Sequence, residues 1–214
     1  MSDAGALVGV LLAGGAARRF GGGKLRAPLA DGEPLGIVSA RRVAAAVSRL
    51  VVVTRVEDVL TTAMFRDAGF EVIASPDAAR GMAHSLAAGV AASPDAAAWM
   101  IALADMPRVA ADTLSELAAR WRAADAIVVP TCKGQRGHPV IFPARYGAEL
   151  RALEGDQGAR PLLAAHAAEV VTWECGDAGV LTDVDTPDDL SALDARETQP
   201  SPSTSASGRG TPTA

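Results

Sequence analysis

The sequence predicts an α/β fold with three α/β/α layers, in which a mostly parallel sheet is covered by helices on both faces. Two patterns predict it. Short apolar runs rich in Val, Ile and Leu recur with no polar alternation, as expected of strands buried on both sides. Stretches of helical periodicity lie between them, and that alternation builds βαβ units. Composition sets the core: 49% of the 214 residues are hydrophobic but only 4% aromatic, so it must be built from Ala, Val and Leu. A chain of this length holds one sizeable core rather than two ordinary domains. A single domain is expected over residues 1–195. Residues 196–214 are expected to form a disordered tail, since that Ser/Thr/Pro/Gly-rich stretch has no large apolar residue with which to order itself.

The elements follow in order. Residues 6–13 read as a buried first strand that breaks into the glycine-rich loop GGAARRFGGGKL. Pro34 can open a helix, with Leu35, Val38, Arg42 and Ala46 at helical spacing. Residues 50–54 form a β-branched second strand, 57–68 a helix stopped by Gly69, and 70–74 a third strand. After the turn Ser75-Pro76-Asp77, the segment Gly81-Met82-Ala83-His84-Ser85-Leu86 leads into an Ala-rich helix. Residues 99–104 are an apolar strand ending in Asp105-Met106-Pro107, and 112–123 a helix with Asp112 as N-cap. Strands follow at 126–131, at 138–142 with Pro139 marking an edge or a strand start, and at 170–173. Pro187 begins a short last helix.

Charge and cysteine content exclude several classes. A formal net charge of −5 argues against a general nucleic-acid or membrane-surface binder. No apolar run approaches the roughly 20 residues that span a bilayer, and no secretory signal is expected. The two cysteines, Cys132 and Cys175, lie far apart and form no CxxC, which suits a reduced, cytoplasmic protein. The three histidines are scattered, so no zinc site is expected.

The positive charge that matters is local. Gly14, Gly15, Gly21, Gly22 and Gly23 let backbone approach a ligand and offer N–H groups, while Arg18, Arg19 and Lys24 add charge, as a phosphate site needs. It is not a Walker A loop, for Arg18 stands at the first glycine position and Leu25 follows the lysine, and GxGxxG is absent. Asp105 ends an apolar strand, at the edge where α/β sheets bind ligands, and suits a hard cation such as Mg²⁺ or, equally, a turn or cap. Asp183 and Asp185 alternate at strand spacing before a turn, while Asp188 and Asp189 fit the first turn of a helix. Asp156 and Arg160 could form a simple ion pair, and Gly81, Met82 and Ser85 carry no functional signal by themselves.

The loop also matches LxxGxxxRxGxxK at Leu12, Gly15, Arg19, Gly21 and Lys24. In this it resembles the MobA-like nucleotidyltransferases, and most closely the molybdenum cofactor cytidylyltransferases. Four further stretches agree in the family's order: Leu103-Ala104-Asp105-Met106-Pro107, the GMxxSL pattern at 81–86, Gly137-His138-Pro139-Val140 with Gly155-Asp156-Gln157-Gly158-Ala159-Arg160, and Asp183-Val184-Asp185-Thr186-Pro187. The resemblance implies a Rossmann-like nucleotidyltransferase fold and transfer of CMP from CTP to the terminal phosphate of a molybdopterin-type acceptor. It implies nucleotide contacts from Leu12, Ala13, Gly14, Gly15, Arg19, Lys24, Gly81, Met82 and Ser85. Arg19, Lys24 and Asp105 would be catalytic, with Mg²⁺ on Asp105 and Asp185 and Asp183 behind them. His138, Asp156 and Arg160 would meet the acceptor, and a recipient molybdoenzyme is a possible partner. Two positions depart from the pattern, and a third speaks against the guanylyltransferases. Ala17 replaces a small hydroxyl, Gly14 is what guanylyltransferases carry, and Gly23 stands where their loop has an aspartate. A guanylyltransferase, another NTP transferase of this fold and a non-catalytic cofactor-delivery factor are the alternatives.

Overall fold

The computed structural model describes residues 5–197 except 16 and 18, so most of the expected tail lies outside the described residues. The strands are β1 (Leu7–Leu12), β2 (Arg49–Arg55), β3 (Glu71–Ser75), β4 (Ala98–Leu103), β5 (Ile127–Cys132), β6 (Gln135–Arg136), β7 (Val140–Pro143) and β8 (Val170–Glu174). The helices are α1 (Leu35–Ala46), α2 (Val59–Asp67), α3 (Met82–Ala91), α4 (Ala111–Ala124), α5 (Gly147–Arg151), α6 (Arg160–Ala165) and α7 (Pro187–Glu197). The strands join in one sheet in the order β3-β2-β1-β4-β7-β5-β6, with β8 also on β5.

The sheet is mostly parallel, as expected: β3, β2, β1 and β4 run together, and so do β5 and β8. β7 runs antiparallel to both its neighbours, β4 and β5. It follows β5 through the short β6 hairpin, with no helical crossover to turn the chain back into parallel. The strand begins at Val140, so Pro139 stands just before its start, and its place is inside the sheet rather than at an edge.

Side-chain alternation divides the core into two. Leu7, Leu11, Val52 and Met100 pack on one face with Leu35, Ala40 and Val43 of α1, Phe65 of α2, and Leu114 and Leu117 of α4. Val8, Val10, Val51, Val53 and Ile101 pack on the other with Leu86 and Val90 of α3, Leu150 of α5 and Leu162 of α6. Helix starts differ locally from expectation. Pro34 is the N-cap of α1 rather than its first residue, and α2 starts at Val59, capped by Asp58, which accepts from the Thr61 N–H at 3.2 Å. Asp112 is not the cap of α4 but lies in its first turn. Asp177, far along the chain, serves that end instead, accepting from the Ala110 N–H at 2.9 Å and the Thr113 hydroxyl at 2.8 Å.

The helices lie close on the sheet because small residues face it. A Cβ on Gly89 of α3 would stand 2.3 Å from Cγ1 of Val10. Alanine ordinarily favours a helix over glycine by about 1 kcal/mol. Gly89→Ala is expected to reverse that sign, lowering stability by about 1–3 kcal/mol through overpacking, as thermal or urea unfolding would read. A stabilised variant would mean that α3 has room to lift from the sheet.

Candidate active site

β1 and β4 are parallel neighbours, with Leu12 opposite Leu103, so the loops leaving their carboxyl ends begin side by side. The Ala104 N–H donates to the Leu12 carbonyl at 3.1 Å, and the Ala13 N–H to Val53 at 2.8 Å. The chain then turns through Gly21, Gly22 and Gly23, all with φ between 66° and 98°, where a side chain would be strained. Ala17 shares that left-handed region at φ 46°, and its carbonyl accepts from the N–H groups of Phe20 and Gly22. A 3-10 turn over Lys24–Arg26 follows and drives Leu25 into the core.

That turn carries Lys24 inward. Its side chain is only 8% exposed, and its ammonium lies 2.7 Å from Oδ2 of Asp105 and 3.2 Å from Oδ1 of Asp185. A buried ammonium needs such partners, since its desolvation costs several kcal/mol. The exposed Arg19 caps the group by donating to the other oxygen of Asp185. The second carboxylate is fixed in turn. The Val184 N–H donates to the Asp105 carbonyl at 3.0 Å, and Asp189 accepts from the N–H groups of Asp185 and Thr186 and from the Thr186 hydroxyl. These bonds hold the Asp189 carboxyl below its ordinary range, the Thr186 hydroxyl contributing most. Asp183 is exposed and stands on a different cavity. Among the described residues, no three of His, Cys, Asp and Glu gather as a metal cluster.

Two cavities adjoin here. One of about 760 Å³ is lined by Leu12, Ala13, Gly14, Gly15, Lys24, Gly81, Met82, Ser85 and Asp105, all expected from the sequence. The other, about 600 Å³, takes in His138, Asp156, Arg160 and Asp183 between apolar walls that include Ile101, Val129 and Phe142. Leu12, Met82 and Asp156 line both. Arg19 lines neither; it enters through Asp185, and Arg18 lies outside the described residues. The sequence reading missed Arg55, Thr61 and Arg80 on the first cavity and Arg136 on the second. Arg55 had one available signal, its place at the carboxyl end of a buried strand.

Two stretches that look separate in sequence make one wall between the cavities. A Cβ on Gly81 would stand 2.4 Å from the Gly155 carbonyl oxygen, which also accepts from the Ala83 N–H at 3.0 Å. A Cβ on Gly158 would stand 2.9 Å from the sulfur of Met82. Gly14 is less constrained, since a Cβ there would meet the Ser85 hydroxyl at 2.8 Å, the end of a side chain that can rotate.

On the second cavity, the His138 N–H donates to the Val180 carbonyl at 2.9 Å, and Nδ1 is buried with no hydrogen-bond partner. Burial pushes the His138 pKa down, opposed by the Ile101 carbonyl and by the charges of Asp105 and Asp183.

Residues 9–170 match the MobA-like NTP transferase domain. The chain belongs to this family. It is 32% identical over 202 residues to the purine catabolism protein PucB of Bacillus subtilis, covering 86% of this chain and 93% of PucB. Among solved structures, the homologue of Rv0371c from Mycobacterium sp. strain JC1 superposes with a TM-score of 0.75 at 28% identity, covering 89% of this chain and 96% of the other. Rv0371c of Mycobacterium tuberculosis H37Rv, solved in complex with manganese, gives 0.71 at 28% identity, covering 89% and 98%. The chain is accordingly a nucleotidyltransferase with the Rossmann-like fold of that group. No helix among the described residues is long and apolar enough to cross a membrane.

The histidines give a pH test. The folded chain takes up a proton at His138 less readily than the unfolded chain, whose ordinary value is 6.5, so this residue costs stability as pH falls below that value. His166 acts in the opposite sense. Its pKa is raised by hydrogen bonds to Glu149 and Glu169, so its contribution is present in acid and lost as pH rises. In melting curves taken downward from pH 6.5, the acid loss of Tm should shrink in His138→Gln and grow in His166→Gln.

Proposed function

We propose that this nucleotidyltransferase moves CMP from CTP to the terminal phosphate of a molybdopterin-type acceptor, releasing pyrophosphate with the help of Mg²⁺. The observation that carries the reading is the junction of two cavities beside one carboxylate pair, room for a nucleotide on one side and an acceptor on the other. The first has the glycine loop and Lys24 for phosphates. The second combines apolar walls with His138, Asp156, Arg136 and Arg160, which suits a flat heterocycle with polar edges and an anionic phosphate.

Asp105 and Asp185 fit a divalent cation. They already converge on one positive charge, and Mg²⁺ needs only one or two carboxylates when phosphates supply its other oxygens. The manganese complex of Rv0371c supports divalent metal use by a relative of this chain. When bound, the cation would neutralise the phosphates and orient the α-phosphate. Asp183, on the acceptor cavity, would stand behind this pair.

In the reaction, an acceptor phosphate oxygen bonds to the α-phosphorus of CTP as the bond from that phosphorus to the bridging β-phosphate oxygen breaks. A phosphate nucleophile is largely ionised near pH 7, its second pKa lying near ~6, so no side chain is required as a base. Catalysis is then positioning and charge stabilisation. Lys24, Arg19 and the N–H groups of Gly14 and Gly15 would meet the charge that grows on pyrophosphate. Leu12, Ala13, Gly81, Met82 and Ser85 would shape the nucleotide cavity.

The test is pyrophosphate release from each of the four NTPs with Mg²⁺, with and without molybdenum cofactor. CTP with the cofactor is expected to be the productive pair. GTP in its place would make the enzyme a guanylyltransferase, and failure with every NTP despite tight cofactor binding would indicate a delivery factor. Lys24→Ala should lower the rate on the order of 10²–10³, and near-normal release by that variant would overturn the assignment.

A further inference from the structure

Among the described residues, one buried side-chain donor on the nucleotide cavity has no hydrogen-bond partner. Arg55, the last residue of β2, lines it, and its Nε is buried without a hydrogen-bond partner. Leaving a buried charged donor unpaired is costly, and its persistence calls for a partner. The other charged groups at this end are occupied or exposed. Arg80 pairs with Asp77 at 3.0 Å, Asp58 caps α2, and Glu57, which lines the same cavity, is exposed.

Its position distinguishes it from the phosphate-binding cations. The Lys24 ammonium meets Asp105 just past the end of β4, and β1 separates β4 from β2. Two strand spacings are roughly 10 Å, a span that a ribose and base fill beyond the α-phosphate. Gly14 lies between, and the position its Cβ would take is 3.7 Å from Cγ of Arg55.

We infer that Arg55 reads the nucleobase. The inference deepens the nucleotidyl-transfer reading and rests on it. A guanidinium has only donors, set in a planar fork, so it complements a base edge that presents adjacent acceptors. Cytosine offers N3 and O2, and guanine offers N7 and O6. Adenine sets its exocyclic NH₂ beside each ring acceptor of its N1 and N7 edges and opposes the fork with a donor. Arg55 therefore selects cytosine or guanine nucleotides and rejects adenine.

The test uses the full chain and the nucleoside monophosphates CMP, GMP, UMP and AMP, so that binding is read without metal or turnover. In calorimetric titrations the native protein should bind CMP or GMP at least roughly tenfold more tightly than AMP. Arg55→Met should remove that preference by weakening the favoured nucleotide and leaving AMP unchanged. Arg55→Lys, which keeps the charge but loses the fork, should fall between. Retained binding of inorganic pyrophosphate and an unchanged melting curve report that the variants fold, and if the methionine variant does not fold, the lysine variant decides. Equal weakening of all four nucleotides would assign Arg55 to phosphate or packing and overturn the inference, as would an unaltered base ranking. Base-selective binding without pyrophosphate release would sink the transfer reading and leave this one standing. Normal turnover with an unaltered ranking would do the reverse.

Discussion

The site depends on one buried ammonium held between two carboxylates. Lys24 could not be packed in the mouth of this sheet alone, because stripping an ammonium of water costs several kcal/mol. Asp105 and Asp185, at 2.7 and 3.2 Å, make its burial tolerable, and Lys24 lets two like charges approach one another. The same reciprocity defines the chemistry. A pair of carboxylates that accepts one compact positive charge can accept another.

Three segments distant in sequence reach that point by different devices. The glycines at 21–23 adopt a backbone that other residues resist and tip Lys24 inward through a 3-10 turn. Asp105 arrives by position alone, just past the end of a fully paired central strand. Asp185 is held by the bond of its own N–H to Asp189, which places it at the start of α7. The parallel register of β1 against β4 therefore sets the separation of the first two, and the packing of the final segment sets the third.

Much of this was legible in the chain. Strands buried on both faces announce themselves as unbroken apolar runs, and the glycine loop, Asp105 and the Asp183-Val184-Asp185 run stand out by chemistry. What stayed hidden was nonlocal. Asp177 serves the start of α4 from 64 residues beyond Thr113, and no local pattern can assign it. The antiparallel direction of β7 depends on the two-residue β6 hairpin, too short to read as a strand. Gly81 and Gly155 look like two turns, and only their contact reveals a shared wall. Arg55 looks like an ordinary strand-end arginine until burial shows its unpaired nitrogen.

The segment from Asp177 to Asp185 explains why the last carboxylate comes so late in the chain. A Cβ on Gly179 would stand 2.2 Å from the Arg108 carbonyl oxygen, and one on Gly137 would stand 2.4 Å from that of Val180. The segment is thus threaded between the loop that follows Asp105 and the loop that carries His138. Asp177 pins its start to α4, and Val180 and Val184 bury their side chains completely or nearly so. Only with the sheet and both loops in place does this strap have a surface to lie on. Asp185 then meets Lys24, while Asp183, two residues earlier, lines the second cavity. A single strap so fixes both carboxylates against one frame, and packing sets the distance between them.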